Sequence, residues 1–545
     1  MRAVAFVFYA SVAALLPALV VIWNMGDGAP FWFLAGDAYL YLGIGEASSG
    51  LSMSFDGIRP TNGFHPLWQI WVRLATTLSA TPLQAMAWVA YSAIALTLGG
   101  VLMLGAAIQR FTGSWLLAML AVPGVYFLAI GQALRNLPVW GFFDGMEVGL
   151  AFFVASGLVW LISTFEAREP GPQPWLPVGL ILAVLVLTRL DEVFVPAAMA
   201  VTIALWPGRP VAQRITAGAL VAMPAAFGLA LFVGWSLLTT GMLAPVSGAA
   251  KGEGALVSNA WVTLATFFSP LIDLREGLTG YTADREGLTG GAFRVVQLVV
   301  PSLFALGFLA HILRRHAQKP WAPLLAGLCG GIVIKAIYTI GAVNYWHQAG
   351  WYYAVAMMTM TLGAAIMLAP AARRMSKPAG VIAATVLSAV TLLHASLWSS
   401  GLMTDPLRPA QREFWLNGAQ MQDRLIALDP DIRVLEFGDG MINFTFDFPV
   451  RHGFVFAGDA QSLDAYRAGR LLRAAFGDGF EVLSSYEYLR VPDGAETWTS
   501  DDIRGFLEAS FLDPRVKDEL RYFDFDMMAV QRPSGVPFIR LIPRT

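Results

Sequence analysis

Charge is what this 545-residue chain has least of: 14% of its residues are Asp, Glu, Lys or Arg, against 56% hydrophobic, and its mean hydropathy is +0.59. Soluble domains usually carry about 25% charged residues, so this scarcity excludes an ordinary soluble protein. Cysteine is almost absent. The single Cys329 lies inside an apolar run and cannot form an intrachain disulfide, so every part of the chain must be stable without one. A basic excess is missing as well: 36 bases against 38 acids give a formal net charge of −2, which provides no electrostatic footprint for nucleic acid. Histidine is too sparse, at 6 residues, to suggest a histidine-rich metal centre, and no second histidine stands at ligand spacing from His65.

The charges that exist are unevenly placed. Residues 1–400 hold 15 acids and 20 bases, while residues 401–545 hold 23 acids and 16 bases. The first part, with apolar runs of 18 to 30 residues, has the composition of a polytopic membrane domain. The second has that of a soluble domain. Runs able to cross a ~30 Å hydrocarbon layer fall near 3–23, 83–108, 113–133, 139–164, 211–238, 293–312, 320–340, 350–370 and 379–398. The stretch 174–206 is interrupted by Arg189, Asp191 and Glu192 and reads as two shorter helices meeting at one membrane face. The stretch 66–80 is short, contains Arg73 and reads as an interfacial helix. The first run is read as an uncleaved anchor rather than a signal peptide.

With a cytoplasmic N-terminus, the cytoplasmic connections carry Arg2, Arg110, Arg168, Arg209, Arg214, Arg314, Arg315, Lys319, Arg373, Arg374 and Lys377 against Glu166 and Glu169 alone. This satisfies the positive-inside rule and gives about 11 spans with residues 401–545 outside. The expected fold is mostly α: a transmembrane helical domain with long outer loops at 24–65 and 239–292, followed by a soluble α/β domain. Strands are expected at 432–437, 453–456 and 538–542, with helices near 411–427, 461–474 and 501–510. No phosphate loop, metal-ligand spacing or nucleophile elbow stands in that domain, and Gly438-Asp439-Gly440 reads as a turn. In the second long loop, Arg275–Gly280 is nearly repeated by Arg285–Gly290, which reads as a slip in a tolerant surface segment.

Ionisable residues in a membrane domain are expensive and cluster at functional sites. The first outer loop is the densest: Gly36-Asp37-Ala38-Tyr39 opens an amphipathic run, and Arg59-Pro60-Thr61-Asn62-Gly63-Phe64-His65-Pro66-Leu67-Trp68 follows. Further on stand Gly145-Met146-Glu147, Leu187-Thr188-Arg189-Leu190-Asp191, Pro245-Val246-Ser247-Gly248-Ala249-Ala250-Lys251, and Trp351-Tyr352-Tyr353. Each residue also has a plain structural role open to it. Asp37 fits an N-cap, Arg189 and Asp191 a mutual pair, Lys251 a solvated loop lysine, Glu147 a buried hydrogen-bond network, His65 packing beside Pro66 and Trp68, and the aromatic triplet an interfacial belt.

These five segments, in this order and all on the assigned outer face, resemble bacterial GT-C superfamily glycosyltransferases, integral-membrane enzymes that use polyprenyl-phosphate sugars. The resemblance samples residues 30–360. It implies sugar transfer at the outer face of a bacterial inner membrane from a polyprenyl-phosphate-linked sugar to a glycan, lipid or protein acceptor hydroxyl. The transfer would be inverting, with Asp37 as general base. It further implies Lys251, Arg189 and Lys335 as phosphate ligands, and Arg59, Asn62, His65, Glu147, Asp191, Ser247, Trp351 and Tyr352 as substrate-binding residues. Members commonly carry two adjacent acids before Ala-Tyr. Here Gly36 precedes Asp37, which leaves a divalent cation open as cofactor but removes one of its carboxylates, and a hard cation needs several oxygen ligands. A transporter or flippase of lipid-linked sugars would also bury charges among helices, although no paired repeat is visible. A non-catalytic scaffold would leave the charges of the first loop without a purpose.

Overall fold

The computed structural model describes residues 2–124, 143–165, 174–252, 307–342, 354–404, 407–438, 440–510 and 512–544. Among the described residues up to 404 the regular structure is helical and includes α1 (Arg2–Met25), α2 (Gly36–Ala47), α3 (Pro66–Leu78), α4 (Pro82–Thr112), α5 (Val148–Ser163), α6 (Trp175–Thr188), α7 (Phe194–Leu205), α8 (Val211–Thr240), α9 (Val246–Lys251), α10 (Ala322–Ala342), α11 (Ala354–Arg374) and α12 (Lys377–Thr404). Among the described residues five helices are long and apolar enough to cross a bilayer: α1, α4, α8, α10 and α11. The expected runs at 113–133, 139–164, 293–312 and 350–370 fall partly outside the described residues, and the duplicated segment at 275–290 falls wholly outside them.

Two local expectations concern length. Thirteen residues at 1.5 Å each make α3 about 20 Å long, too short for the ~30 Å hydrocarbon layer. It buries Trp68, Gln69, Val72 and Ala75 and leaves Ile70, Leu74 and Leu78 exposed, the two-faced pattern of a helix lying against the bundle. The run 174–206 is indeed two helices, α6 and α7, joined by the 3₁₀ turn Leu190–Val193, which holds Asp191 and Glu192 and follows directly on Arg189.

The C-terminal part begins with α13 (Leu407–Leu416) and α14 (Gly418–Leu428), a pair broken at Asn417 where one helix at 411–427 was expected. Its sheet comprises β1 (Val434–Glu436), β2 (Val450–His452), β3 (Val482–Ser484), β4 (Phe523–Gln531) and β5 (Val536–Pro543), in the order β2-β1-β3-β5-β4. β1 runs parallel to β2 and β3, while β3–β5 and β5–β4 are antiparallel. Helices α15 (Met441–Thr445), α16 (Ala460–Arg467), α17 (Leu471–Gly477), α18 (Ser500–Ala509) and α19 (Pro514–Glu519) accompany it, with α18 opened by a Thr499/Asp502 capping box. The expected helix 461–474 is split at Gly469, whose φ of +60° lies in the left-handed region that ends helices.

The strand expected at 453–456 is not there. Gly453 N–H closes β2 onto the carbonyl of Glu436, and Val455 N–H then bonds back to His452, turning the chain with Val455 at φ +66°. The apolar alternation of Phe454 and Phe456 therefore serves a turn whose rings pack around His452 rather than a ladder. β2, β3 and β4 were not expected, although the Phe523-Asp524-Phe525-Asp526-Met527 alternation of β4 is an ordinary strand signal, with the apolar members buried.

The C-terminal domain sits directly on α2 and the first loop. Tyr39 packs on Phe444 at 5.6 Å between ring centroids, Asn443 Nδ2 donates to the Phe55 carbonyl at 2.9 Å, and buried Arg408 donates to the Leu34 carbonyl. Gly440 (φ +83°) is required here: a Cβ at that position would lie 2.8 Å from the Leu40 nitrogen.

Candidate active site

Asp37 occupies the first turn of α2, whose N-cap is Ala35 with no side-chain cap bond. The carboxylate is therefore not the helix cap, and among the described residues it has no hydrogen-bond partner. The start of α2 is fixed instead by neighbours. Ala35 N–H donates to the Asp144 carbonyl at 2.9 Å, Trp68 Nε1 to the Gly145 carbonyl at 3.0 Å, and Gln69 Nε2 to the Tyr41 carbonyl at 3.0 Å. These bonds tie α2, the 143–147 turn and α3 into one wall.

The opposite wall is the 236–251 segment. Asn62 fastens it: its Nδ2 donates to Ser236 Oγ at 2.6 Å and to the Ala244 carbonyl at 3.0 Å, and its Oδ1 accepts from Val246 N–H at 2.8 Å. A guanidinium nitrogen of Arg467 donates to the Ala249 carbonyl at 2.8 Å from the C-terminal domain. Thus α9 is held at both ends, and Ser247 and Lys251 on it face the cleft.

Between these walls lies a cleft lined by Asp37, Tyr41, His65, Glu147, Arg189, Ser247, Lys251 and Phe456, with Leu40, Ile44, Phe64 and Met146 supplying apolar surface. Lys251 Nζ stands 5.0 Å from the centre of the Phe456 ring, a cation–π distance. Burial pushes the Asp37 carboxyl above its ordinary pKa; Lys251 pulls it back down and Glu147 pushes it up. His65 is pushed below its ordinary value, chiefly by burial, with Glu147 opposing the shift and Arg189 adding to it. Its Nδ1 accepts from Leu190 N–H at 3.4 Å and its Nε2 is 3.6 Å from Glu147 Oε1.

Arg189 and Lys335 were expected at a phosphate, yet both are engaged by carboxylates. Arg189 donates to Glu147 at 2.7 Å and, through a second edge, to Asp191 at 3.2 and 3.3 Å. Lys335 lies 2.9 Å from Asp191 and 2.6 Å from Glu192. Tyr41 OH adds a bond to Glu147 at 3.0 Å. Arg189, Glu147, Lys335 and Glu192 are each at most 5% exposed, so a phosphate would have to break buried ion pairs to reach them. Arg189 reaches the cleft only as part of this chain, and Asp191 and Lys335 do not line it.

Arg59 is elsewhere too. It pairs with Asp478 at 2.9 Å and Asp459 at 3.6 Å, beside Arg451, which is 2.6 Å from the same Asp478. It clamps the first loop to the C-terminal domain. Asn62 is the fastening described above, and Trp351, Tyr352 and Tyr353 lie outside the described residues. Two lining residues were not singled out in sequence. Tyr41 follows Asp37 by one helical turn, a spacing that puts both on one face. Phe456 gives no such signal, because it arrives from 400 residues away.

The donor set does not fit a divalent cation. Among the described residues Asp37 and Glu147 are the carboxylates lining the cleft, and Glu147 is taken by Arg189 and Tyr41. No group of three or more metal-ligating side chains occurs among the described residues, and no step is assigned to a metal.

No protein-family model and no curated protein matches this chain. Solved structures do resemble it. ArnT from Cupriavidus metallidurans bound to undecaprenyl phosphate is 11% identical, with a TM-score of 0.48 over 97% of each chain. The Archaeoglobus fulgidus oligosaccharyltransferase with zinc and sulfate is 12% identical, with a TM-score of 0.48 over all of this chain and 73% of the other. The oligosaccharyltransferase AglB of the same organism, in complex with an inhibitory peptide and a dolichol-phosphate, is 10% identical, with a TM-score of 0.46 over 99% and 74%.

Proposed function

We propose that the chain is a GT-C-type membrane glycosyltransferase that moves a sugar from a polyprenyl-phosphate donor to an acceptor hydroxyl. The observation that carries this reading is the cleft itself: it holds one carboxylate with no hydrogen-bond partner among the described residues, Asp37, facing one lysine, Lys251, while the neighbouring charges are paired with each other.

Transfer needs two things at once. The acceptor oxygen must lose its proton as it attacks the anomeric carbon, and the lipid phosphate must carry away the electron pair of the breaking C–O bond. Asp37 takes the proton, and its raised pKa makes it a better base than a solvated aspartate. Lys251 stands where developing phosphate charge would be neutralised. One displacement inverts the anomeric centre, with no sugar attached to the protein. The Glu147–Arg189 pair and neutral His65 supply hydrogen-bonding walls, and Phe456 closes the cleft from the C-terminal domain. The reading places that domain, the cleft and the acceptor on the outer face of a bacterial inner membrane. The charge chain at 189–192 is too fully paired to serve a moving ion, which disfavours a transporter.

The test is donor turnover by purified protein given a polyprenyl-phosphate sugar and an acceptor, comparing wild type with Asp37→Asn. Loss of transfer in a folded variant supports the assignment; near-normal transfer removes Asp37 from the mechanism.

A further inference from the structure

A second cavity lies at the far ends of the helices that carry the cleft. α6 delivers Arg189 just past its last residue and Trp175 at its first, and Trp175 lines this second cavity. α7 starts next to the buried charge chain and ends at it with Ile203 and Trp206, and α10 carries Lys335 toward one end and Pro323 near the other. The fourteen residues of α6, at 1.5 Å each, put the two sites about 20 Å apart.

Arg209, Arg214 and Lys319 line this cavity, and no acidic side chain does so among the described residues. The Arg209 guanidinium stacks over Trp175 at 5.3 Å. Arg214 Nη1 donates to the carbonyls of Leu205 and Trp206 at 3.3 and 3.1 Å, and its Nε is buried with no acceptor among the described residues. An orphaned guanidinium N–H beside further cations is a donor set for an anionic oxygen. Directly alongside, Leu176, Val201, Leu205, Val211 and Ile215 are exposed. That margin is apolar helix surface suited to hydrocarbon, and the cavity is lined by Trp175 and Trp206, a residue type favoured at membrane interfaces.

We propose that this cavity binds the phosphate of an anionic phospholipid headgroup, with the acyl chains lying along the exposed faces of α6, α7 and α8. Free phosphate would use the cations but not the apolar margin. Basic pockets between membrane helices are suited to such headgroups, and this one does not depend on the chemistry of the cleft.

The test is lipid retention by the full-length protein in uncharged detergent, followed by native mass spectrometry during titration with phosphatidylglycerol, phosphatidylcholine or inorganic phosphate. Wild type should retain phosphatidylglycerol in preference to phosphatidylcholine. Arg209→Glu, on an exposed turn, should weaken that retention on the order of tenfold, and adding Arg214→Gln should weaken it further. Arg373→Ala, a basic residue outside the cavity, should leave it unchanged. Equal retention of both lipids, unchanged affinity in both variants, an equal loss in Arg373→Ala, or displacement of the lipid by millimolar phosphate would each overturn the proposal. If the double variant fails to fold, Arg209→Glu decides alone.

Discussion

Two clusters of charge lie side by side in this protein and behave in opposite ways. In the chain from Glu147 through Arg189, Asp191 and Lys335 to Glu192, every member has an opposite charge within 3.2 Å. In the adjoining cleft, Asp37 and Lys251 share a space and feel each other's field, while the Asp37 carboxylate accepts no hydrogen bond from the described residues. All of these residues look alike in sequence, as rare charges among apolar helices. The difference teaches that scarcity of charge locates a costly region, while hydrogen bonding tells which carboxylates hold the fold and which one remains available for a substrate.

The sharpest way to break the comparison is at its two ends. Asp37→Asn should lower transfer by about 10² to 10⁴-fold, as loss of a general base does, with thermal unfolding of the detergent-solubilised protein unchanged. Arg189→Met should act on stability instead, leaving Glu147 buried without its cation and Asp191 with Lys335 alone. A loss of about 3–5 kcal/mol is expected from breaking a buried pair on one side, read as a lowered denaturation midpoint. If Arg189→Met instead keeps full stability and loses only donor affinity, the division between the clusters is wrong.

Smaller effects sharpen it. Lys251→Met should weaken use of the lipid-phosphate donor about tenfold to a hundredfold, since a hydrogen bond to a charged group contributes roughly 1.5–3 kcal/mol. Stability and binding of the acceptor alone should not change. The same variant tests the coupling to Asp37. Activity of a carboxylate base rises with pH through its pKa, burial already sets that pKa above the ordinary aspartate value, and Lys251 lowers it. Removing Lys251 should therefore move the acid limb of the pH–rate profile to higher pH; a shift toward lower pH would contradict the arrangement. The smallest change is expected from Phe456→Ala, where loss of the ring beneath Lys251 should cost about 0.5–2 kcal/mol in donor binding.

Much of the plan is written locally. The separation into an apolar and a charged part, the break of the 174–206 run at its three charges, the short α3, and the presence of an α/β domain all follow from composition and periodicity over a few tens of residues. That is the range over which helix length and amphipathicity act. The Asp37 to Tyr41 spacing on α2 is a local signal of the same kind, although Tyr41 was not singled out from it. Contacts between distant segments were not. Arg59 meets Asp478, Asn62 meets Val246, Lys335 meets Asp191, and Phe456 enters the cleft across some 400 residues of chain.

The sequence by itself determined which stretches leave water, where charge is concentrated, and that one carboxylate opens the helix after the first outer loop begins. Only the tertiary structure decided which charges neutralise one another, because an ion pair depends on a few ångströms between side chains that the chain brings together last. It also decided that a turn, not a strand, carries Phe454 and Phe456. Alternating aromatic residues suit a pleat and a turn alike, and only the hydrogen bonds from Gly453 to Glu436 and from Val455 to His452, made once β2 is paired with β1, distinguish them.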